Sequence, residues 1–468
     1  MTKQIRMNVF DMTSAMHNSH GLWKHPDNAR ATRYKDADYW VELAQLLERG
    51  RFDALFLADV IGVYDVYRQS KDPAIRDAVQ VPLNDPAFVI PVMAHATRHL
   101  CFALTVSTTY EHPYAHARRM STLDHLTKGR FAWNVVTSYL PSAARNFGHA
   151  EMMRHDERYA MAEEFLEVSY KLWEASWEDD AIVRDASRGV FAEPAKVHDI
   201  GHDGRYYRVR GPHLSEPSPQ RTPVIYQAGA SEKGRDFAAK HAECLFVGGS
   251  SPGRVKASIQ DIKDRAVAYG RNPDHIQAFT FLNVVVAETS AEAEAKFAEY
   301  ASLWSGEAAK AQFGGSSGYD LSQYSDLDAP FEYKHTEHGQ SRAASLTKDQ
   351  PRRLTVREAL GTFERLDRKQ TIVGNPQEVA DRIERYFDES GVDGFNLAHY
   401  ISPGSLIDFV ELVVPELQRR GRYKTEYEPG TYREKLFGQG SRLLFADHPG
   451  AGYRRNDGKA EIPQGGAS

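Results

Sequence analysis

"VIYQAGASEKGRDFAA", from Val224 to Ala239, passes from an apolar run through small residues into a helical pattern. Val224, Ile225 and Tyr226 read as a buried strand, Ala228 to Ser231 as a tight turn, and Gly234 onward as a helix. Repetition of this order along the chain decides the fold. Seven further apolar runs read as strands: "IRMNVF" (Ile5–Phe10), "ALFLADV" (Ala54–Val60), "LCFALTVSTT" (Leu100–Thr109), "GRFAWNVVTS" (Gly129–Ser138), "ECLFVGG" (Glu243–Gly249), "IQAFTFLNVVVAET" (Ile276–Thr289) and "DGFNLAHY" (Asp393–Tyr400). Helical patterns alternate with them, as in "YWVELAQLLERG" (Tyr39–Gly50) with its C-capping glycine and "ERYAMAEEFLEVSYKLWE" (Glu157–Glu174). Eight strands alternating with helices, several strands apolar on both faces, predict an α/β fold with a closed parallel sheet, a (β/α)8 TIM barrel. The competing arrangement is an open doubly wound sheet, because element order alone does not require closure.

Two stretches interrupt the alternation, after the fourth and seventh strands. Residues 140–221 carry one helix and a small hairpin excursion, "FAEPAKVHDIGHDGRYYRVRGP". Residues 305–369 are polar, contain "GGSSGYDLSQYSDLDAP", and read as a mobile insertion able to cover a site. A single barrel domain is therefore expected over 1–437, followed by a Gly-, Arg- and charge-rich tail over 438–468.

Composition narrows the function classes. The 468 residues are 41% hydrophobic with a formal net charge of −6 and interspersed signs, which argues against nucleic acid or an anionic membrane as partner. Only Cys101 and Cys244 are present, so neither a disulfide scaffold nor a Cys-rich zinc site is available. The N-terminal "MTKQIRMNVFDM" has no long apolar core, and no run of about 18 apolar residues occurs, so a cytoplasmic protein is expected.

In such a barrel the active site lies at the C-terminal ends of the strands. Polar groups gather there: Asp11 after the first strand, Asp59 after the second, Thr105, Ser107, Thr108 and Thr109 on the third, Asn134 and Thr137 on the fourth, and the Gly229–Ser231 turn after the fifth. Each taken singly is an ordinary helix cap. Together they could surround a flat polar heterocycle, with the turn's backbone N–H groups taking a phosphate at a helix N-terminus. That turn matches neither G-x-G-x-x-G nor the P-loop. Phe10, Phe56, Trp133 and Phe246 are placed to form a dry wall beside it.

Of the 19 histidines, His112 and His116 in "EHPYAH" lack the H-E-x-x-H order and are interrupted by Pro113, so no metal site is expected. "MHNSHGLWKHP" puts His17, His20 and His25 in the loop after the first strand, over the barrel mouth.

"FLADV" (Phe56–Val60), "RFAWNVVTSYLPSAARNFG" (Arg130–Gly148), "HDERYAMAEEF" (His155–Phe165), "VIYQAGASEKG" and "DGFNLAHYISPGSLIDFVELVVPELQRRG" resemble the luciferase-like flavin monooxygenases, up to about Phe437. The resemblance is to the branch holding nitrilotriacetate, dibenzothiophene-sulfone and dimethyl-sulfide monooxygenases. It is nearest the last, through "FDMTSAMHNSHGLWKHP", "ADVIGVYDVYR", "QVPLNDP", "LTKGR" and "EPSPQRTPVI". The resemblance implies FMN held non-covalently and supplied reduced (FMNH2) by a separate NAD(P)H-dependent flavin reductase, with O2 as co-substrate and a homodimer or homotetramer as the assembly. It assigns Asp59, Thr105, Asn134, His155, Tyr159, Ala230 and Ser231 to the flavin. It places His20 on the substrate side as a base or hydrogen-bond donor, with Tyr64 and His17, then His335 and His338, as further candidates. The implied reaction is oxidative cleavage of a C–S or C–N bond in a small organic molecule. The alternatives are a riboflavin lyase, which turns riboflavin into lumichrome and ribose with the same reagents, and a non-catalytic flavin-binding protein.

Overall fold

In the computed structural model, which describes residues 3–249 and 251–455, the eight apolar runs are strands that close on themselves. They are β1 (Arg6–Met12), β2 (Ala54–Ala58), β3 (Cys101–Ser107), β4 (Phe131–Val136), β9 (Val224–Gln227), β10 (Cys244–Val247), β11 (Gln277–Val286) and β13 (Gly394–Ala398). Each pairs in parallel with the next in that order, and β13 returns to β1. The open doubly wound alternative is thereby excluded. A ninth strand, β12 (Ile372–Gly374), which the periodicity did not suggest, extends the far end of β11 through Val284 paired with Ile372.

Side-chain alternation along the strands builds two apolar layers. Ala54, Phe56, Cys101, Ala103, Ala132, Val224, Tyr226, Cys244 and Phe279 face into the barrel. Leu55, Leu57, Phe102, Leu104, Phe131 and Trp133 face the surrounding helices. Both faces are buried, which is why the runs lack polar alternation. The N-terminal end is sealed by the helix Tyr432–Phe437: Tyr432 and Leu436 join the interior cluster, Tyr226 and Tyr432 hydroxyls meet at 2.6 Å, and Arg6 donates to the Lys435 and Leu436 carbonyls. A ligand can therefore approach only from the opposite, C-terminal end.

The excursion after β4 holds the helix His155–Tyr170 and two small hairpins, β5 (Ile182–Asp185) with β6 (Val190–Ala192) and β7 (His202–Asp203) with β8 (Arg208–Val209). The insertion after β11 carries a core of its own, in which Ala309, Phe313, Tyr319, Phe331, Ala343 and Val356 pack with Tyr67 of the loop after β2. Its helices are Gly306–Ser317, Gln340–Ser345 and Val356–Gly361. Beyond Phe437, Leu444, His448 and Gly450 are buried, His448 Nε2 donating to the His241 carbonyl at 2.8 Å. The expected tail over 438–468 thus packs on the barrel as far as residue 455, and its remainder lies outside the described residues. No helix among the described residues is long and apolar enough to cross a membrane.

Candidate functional site

Thr105 and Asn134 are register partners on β3 and β4, two residues along from the inward-facing Ala103 and Ala132, so both point into the barrel mouth. Asn134 Nδ2 donates to Thr105 Oγ1 at 3.0 Å, while Asn134 Oδ1 is buried with no hydrogen-bond partner. A buried acceptor left without a donor is costly, and a ligand N–H would relieve it. Asp59, just past β2, takes the Val60 N–H at 2.9 Å. Burial, reinforced by Asp85 and then Glu111, pushes its carboxyl up to about 7, so it too gains from an N–H donor.

The expected turn lies next to these groups. Ser231 caps the helix Glu232–His241, its hydroxyl accepting the Gly234 N–H, and Gly229 N–H is taken by the Gln227 side chain. The N–H groups of Ala230 and Ser231 have no acceptor among the described residues. A Cβ on Gly229 or Gly234 would lie 2.5 or 2.7 Å from the Tyr159 hydroxyl. Both glycines are therefore required by the approach of that side chain. Tyr159 and His155, one turn apart on His155–Tyr170, have ring centroids 5.2 Å apart, and the Tyr159 hydroxyl is buried against the Gly229–Gly234 turn. His155 Nδ1 is engaged by Asp156 at 2.8 Å, and its N–H is taken by Glu337 of the insertion at 2.6 Å. A cavity of about 780 Å³ opens here, lined by Arg154, Lys233 and Arg265 together with the carboxylates of Asp156, Glu157, Glu232, Asp236 and Glu337. An unsatisfied acceptor, a raised carboxyl and two free backbone donors suit a flavin mononucleotide.

On the other side of the mouth stand the loop residues. Gln312 Nε2, on the insertion helix Gly306–Ser317, donates to Asn18 Oδ1 at 2.8 Å, and Asn18 Nδ2 donates to His17 Nε2 at 3.0 Å. His17 packs edge-on to Phe10 at 4.5 Å and is buried, which with nearby His20 lowers its pKa to about 3. With its Nε2 lone pair engaged, His17 is a poor base. His20 is also held neutral, its pKa lowered to about 4 by burial and by the charge of Arg342, and its ring meets Trp304 at 5.1 Å. His25 turns away toward Tyr300 and Glu299. Tyr64 donates to Gln80 Oε1 at 2.8 Å and shares a 2.8 Å hydrogen bond with the Tyr139 hydroxyl.

Two expectations from the strand ends are corrected. Trp133 does not line the mouth: it sits one residue from Asn134, hence on the outer face, packed on His116, Phe165 and Trp173 with its Nε1 donating to the Val106 carbonyl. Phe10, Phe56 and Phe246 do meet one another, at 5.0–5.8 Å, and Phe281 completes the wall in place of Trp133. Asp11 likewise faces outward and is paired with Arg30 beside His399, which makes it structural. His112 caps the helix Pro113–Leu126, while His116 points into the aromatic cluster, so the two do not converge. Three further residues of the mouth, Gln80, Tyr139 and Gln312, escaped the sequence reading. Tyr139 and Gln80 lie inside stretches it used, but nothing in the insertion marked Gln312.

Comparison with known proteins bears on the family and the barrel. The luciferase-like monooxygenase family profile matches residues 15–394. The chain is 56% identical to the long-chain alkane monooxygenase of Geobacillus thermodenitrificans, over 97% of this chain and 99% of that one. Against the dimethyl-sulfide monooxygenase of Hyphomicrobium sulfonivorans it is 49% identical, over 97% and 94%. The alkane enzyme is thus more similar than the dimethyl-sulfide enzyme toward which the loop segments had pointed. A crystal structure of a riboflavin lyase with modified FMN and riboflavin superposes with a TM-score of 0.90 at 40% identity, covering 97% of this chain and 100% of that one. Barrel, mouth and similarity over nearly the whole length lead to one conclusion: the chain belongs to the luciferase-like monooxygenase family.

Proposed function

We propose that the protein is the oxygenase of a two-component system that takes reduced FMN from an NAD(P)H-dependent flavin reductase and uses O2 to oxidise a small organic molecule. The observation that carries the reading is the unpartnered, buried Asn134 Oδ1 beside Thr105 and the raised Asp59 carboxyl, one strand-width from the Ala230–Ser231 donors. Asp59 and Asn134 would hold the polar edge of the flavin ring. The Ala230 and Ser231 amides, with His155 and Tyr159, would hold its phosphate and ribityl end.

When bound, reduced FMN supplies the two electrons with which one oxygen atom enters the substrate and the other leaves as water. The chain's own part is to bind, orient and exclude water. Phe10, Phe56, Phe246 and Phe281 make one apolar wall, and the insertion covers the mouth through Gln312–Asn18 and through Arg158, which donates to the Glu337 carbonyl at 2.7 Å. His20, neutral across the physiological range, can accept a proton or hydrogen bond from the substrate, and the Tyr64–Gln80–Tyr139 trio can orient it. Oxygenation of a carbon beside sulfur or nitrogen gives a hemithioacetal or hemiaminal, which breaks to a thiol or amine plus an aldehyde. The polar lining of the mouth favours such a heteroatom-bearing substrate over a plain hydrocarbon. A second reading, riboflavin cleavage, is favoured by the riboflavin-bound structural neighbour.

The test is oxygen uptake by the protein with FMN, NADH and a flavin reductase, against dialkyl sulfides, sulfones, aminopolycarboxylates, long-chain alkanes and riboflavin, with products read by mass spectrometry under ¹⁸O2. One labelled product per O2 consumed supports the reading. Formation of lumichrome selects the lyase, and the absence of substrate-dependent uptake throughout leaves only flavin binding.

A further inference from the structure

The helix His155–Tyr170 is capped from outside itself. Its N-cap is Arg154, whose side chain makes no capping bond, whereas Ser231, Ser305 and Asn375 each cap the helices they begin. The His155 N–H is taken instead by Glu337 Oε2 at 2.6 Å, a carboxylate 182 residues further along the chain. Glu337 belongs to a strap over 334–339 that is tied to the insertion at both ends. Tyr319 donates to the Lys334 carbonyl at 2.9 Å, and at the other end His338 Nδ1 and the Gly339 N–H donate to the Gly315 and Ser316 carbonyls, each at 2.9 Å. Among the described residues, the strap's hydrogen bonds to the helix His155–Tyr170 are both made by Glu337: its carboxylate takes the His155 N–H, and its carbonyl takes Arg158 Nη2 at 2.7 Å. Two helix N-termini therefore border the cavity of about 780 Å³. At Glu232–His241 the Ala230 and Ser231 N–H groups are open, while at His155–Tyr170 the first N–H already holds an anion.

A phosphate gains from helix-end donors and is opposed by nearby carboxylates. Three of the other carboxylates on this cavity are engaged by side chains: Asp156 by His155 Nδ1 at 2.8 Å, Glu157 by Arg205 at 3.4 Å, and Asp236 by the Tyr269 hydroxyl at 2.8 Å. Glu337 differs, because it occupies a backbone donor that a phosphate could use and sets a negative charge at the same place. We propose that Glu337 is an affinity-setting residue for the flavin phosphate, its carboxylate loosening the hold on FMN so that the flavin is exchanged in each turnover and not retained. This rests on the reading of the cavity as the phosphate end of the flavin site in a two-component oxygenase. A chain that receives its flavin reduced and must give it back oxidised needs rapid release, and release is the rate through which affinity is mostly set.

The test is fluorescence titration of the full-length protein with oxidised FMN and with riboflavin, together with stopped-flow release of each. Glu337→Gln keeps an acceptor for the His155 N–H and removes the charge. It should bind FMN about tenfold tighter, the scale of one like charge at close range in a solvent-bordered site. FMN release should slow correspondingly, while riboflavin affinity and the melting temperature stay unchanged. Glu157→Gln removes a charge from the same cavity but no bond to a helix end, and should move FMN affinity less. FMN affinity unchanged or lowered in Glu337→Gln would overturn the inference. So would an equal gain for riboflavin, because the strap would then act as a cover and not through its charge. An equal gain in Glu157→Gln would also overturn it, leaving only the summed charge of the cavity. If neither flavin binds wild type or variant, the oxygenase reading itself falls; flavin binding with an unchanged FMN-to-riboflavin ratio removes only the role given to Glu337.

Discussion

Replacing Asp59 by Asn should change how stability depends on pH, by an amount the structure fixes. The carboxyl is raised from 3.8 to about 7, first by burial and then by Asp85. The folded protein therefore keeps a proton that the unfolded chain has lost between those values. The contribution is fully present below 3.8, declines as pH rises, and is gone above about 7. At about 1.36 kcal/mol per tenfold, the loss is about 4 kcal/mol. For 468 residues unfolding at about 2.1 cal/mol/K per residue, 1 kcal/mol moves the melting temperature by about 1 °C. Asp59→Asn keeps the acceptor for the Val60 N–H and cannot ionise. Scanning fluorimetry of flavin-free protein from pH 4 to 8 should therefore show the variant gaining about 4 °C on the wild type across that range. Saturating FMN should shrink the gain, because an N–H of the flavin stabilises the ionised carboxylate in the wild type. Parallel melting profiles for the two proteins would refute the buried, raised carboxyl and with it the argument that this site wants an N–H donor.

Three other outcomes are expected. Tyr159→Phe should weaken FMN by roughly 1.5–3 kcal/mol, read by fluorescence titration, if its hydroxyl meets the phosphate or ribityl end, while riboflavin affinity changes less; equal changes for both would move the hydroxyl off the phosphate. Gly315→Ala places a methyl group onto the Tyr64 ring, which is held by Gln80 and Tyr139. Overpacking of about 1–3 kcal/mol should outweigh the helical gain of alanine, so a raised melting temperature would show that the insertion is not seated on Tyr64. His20→Ala should leave FMN binding and oxygen uptake in place but divert oxygen to hydrogen peroxide, and an unchanged ratio of product to O2 would reduce His20 to a loop residue.

The barrel was legible because its signals are local. Strand runs apolar on both faces, glycine and polar punctuation, and helical periodicity each depend on a few neighbouring residues, and eight repeats leave little freedom of arrangement. The assignment of Asn134, His155, Tyr159 and the Ala230–Ser231 turn to a flavin came from the family resemblance of short motifs, and these motifs lie next to the strands that carry them to the barrel mouth. What sequence could not decide is which of two adjacent side chains enters the barrel. Trp133 and Asn134 lie on opposite faces because the strand repeats every second residue, and the phase of that alternation is set by the pairing of β3 with β4, not by the residues themselves. Nor could it bring Gln312 to Asn18 beside His17. That contact joins residues 294 apart through the packing of an insertion's own core, and no local pattern carries that information. Sequence determined the scaffold and which polar groups gather at its C-terminal end; tertiary packing alone decided which of them point into the mouth.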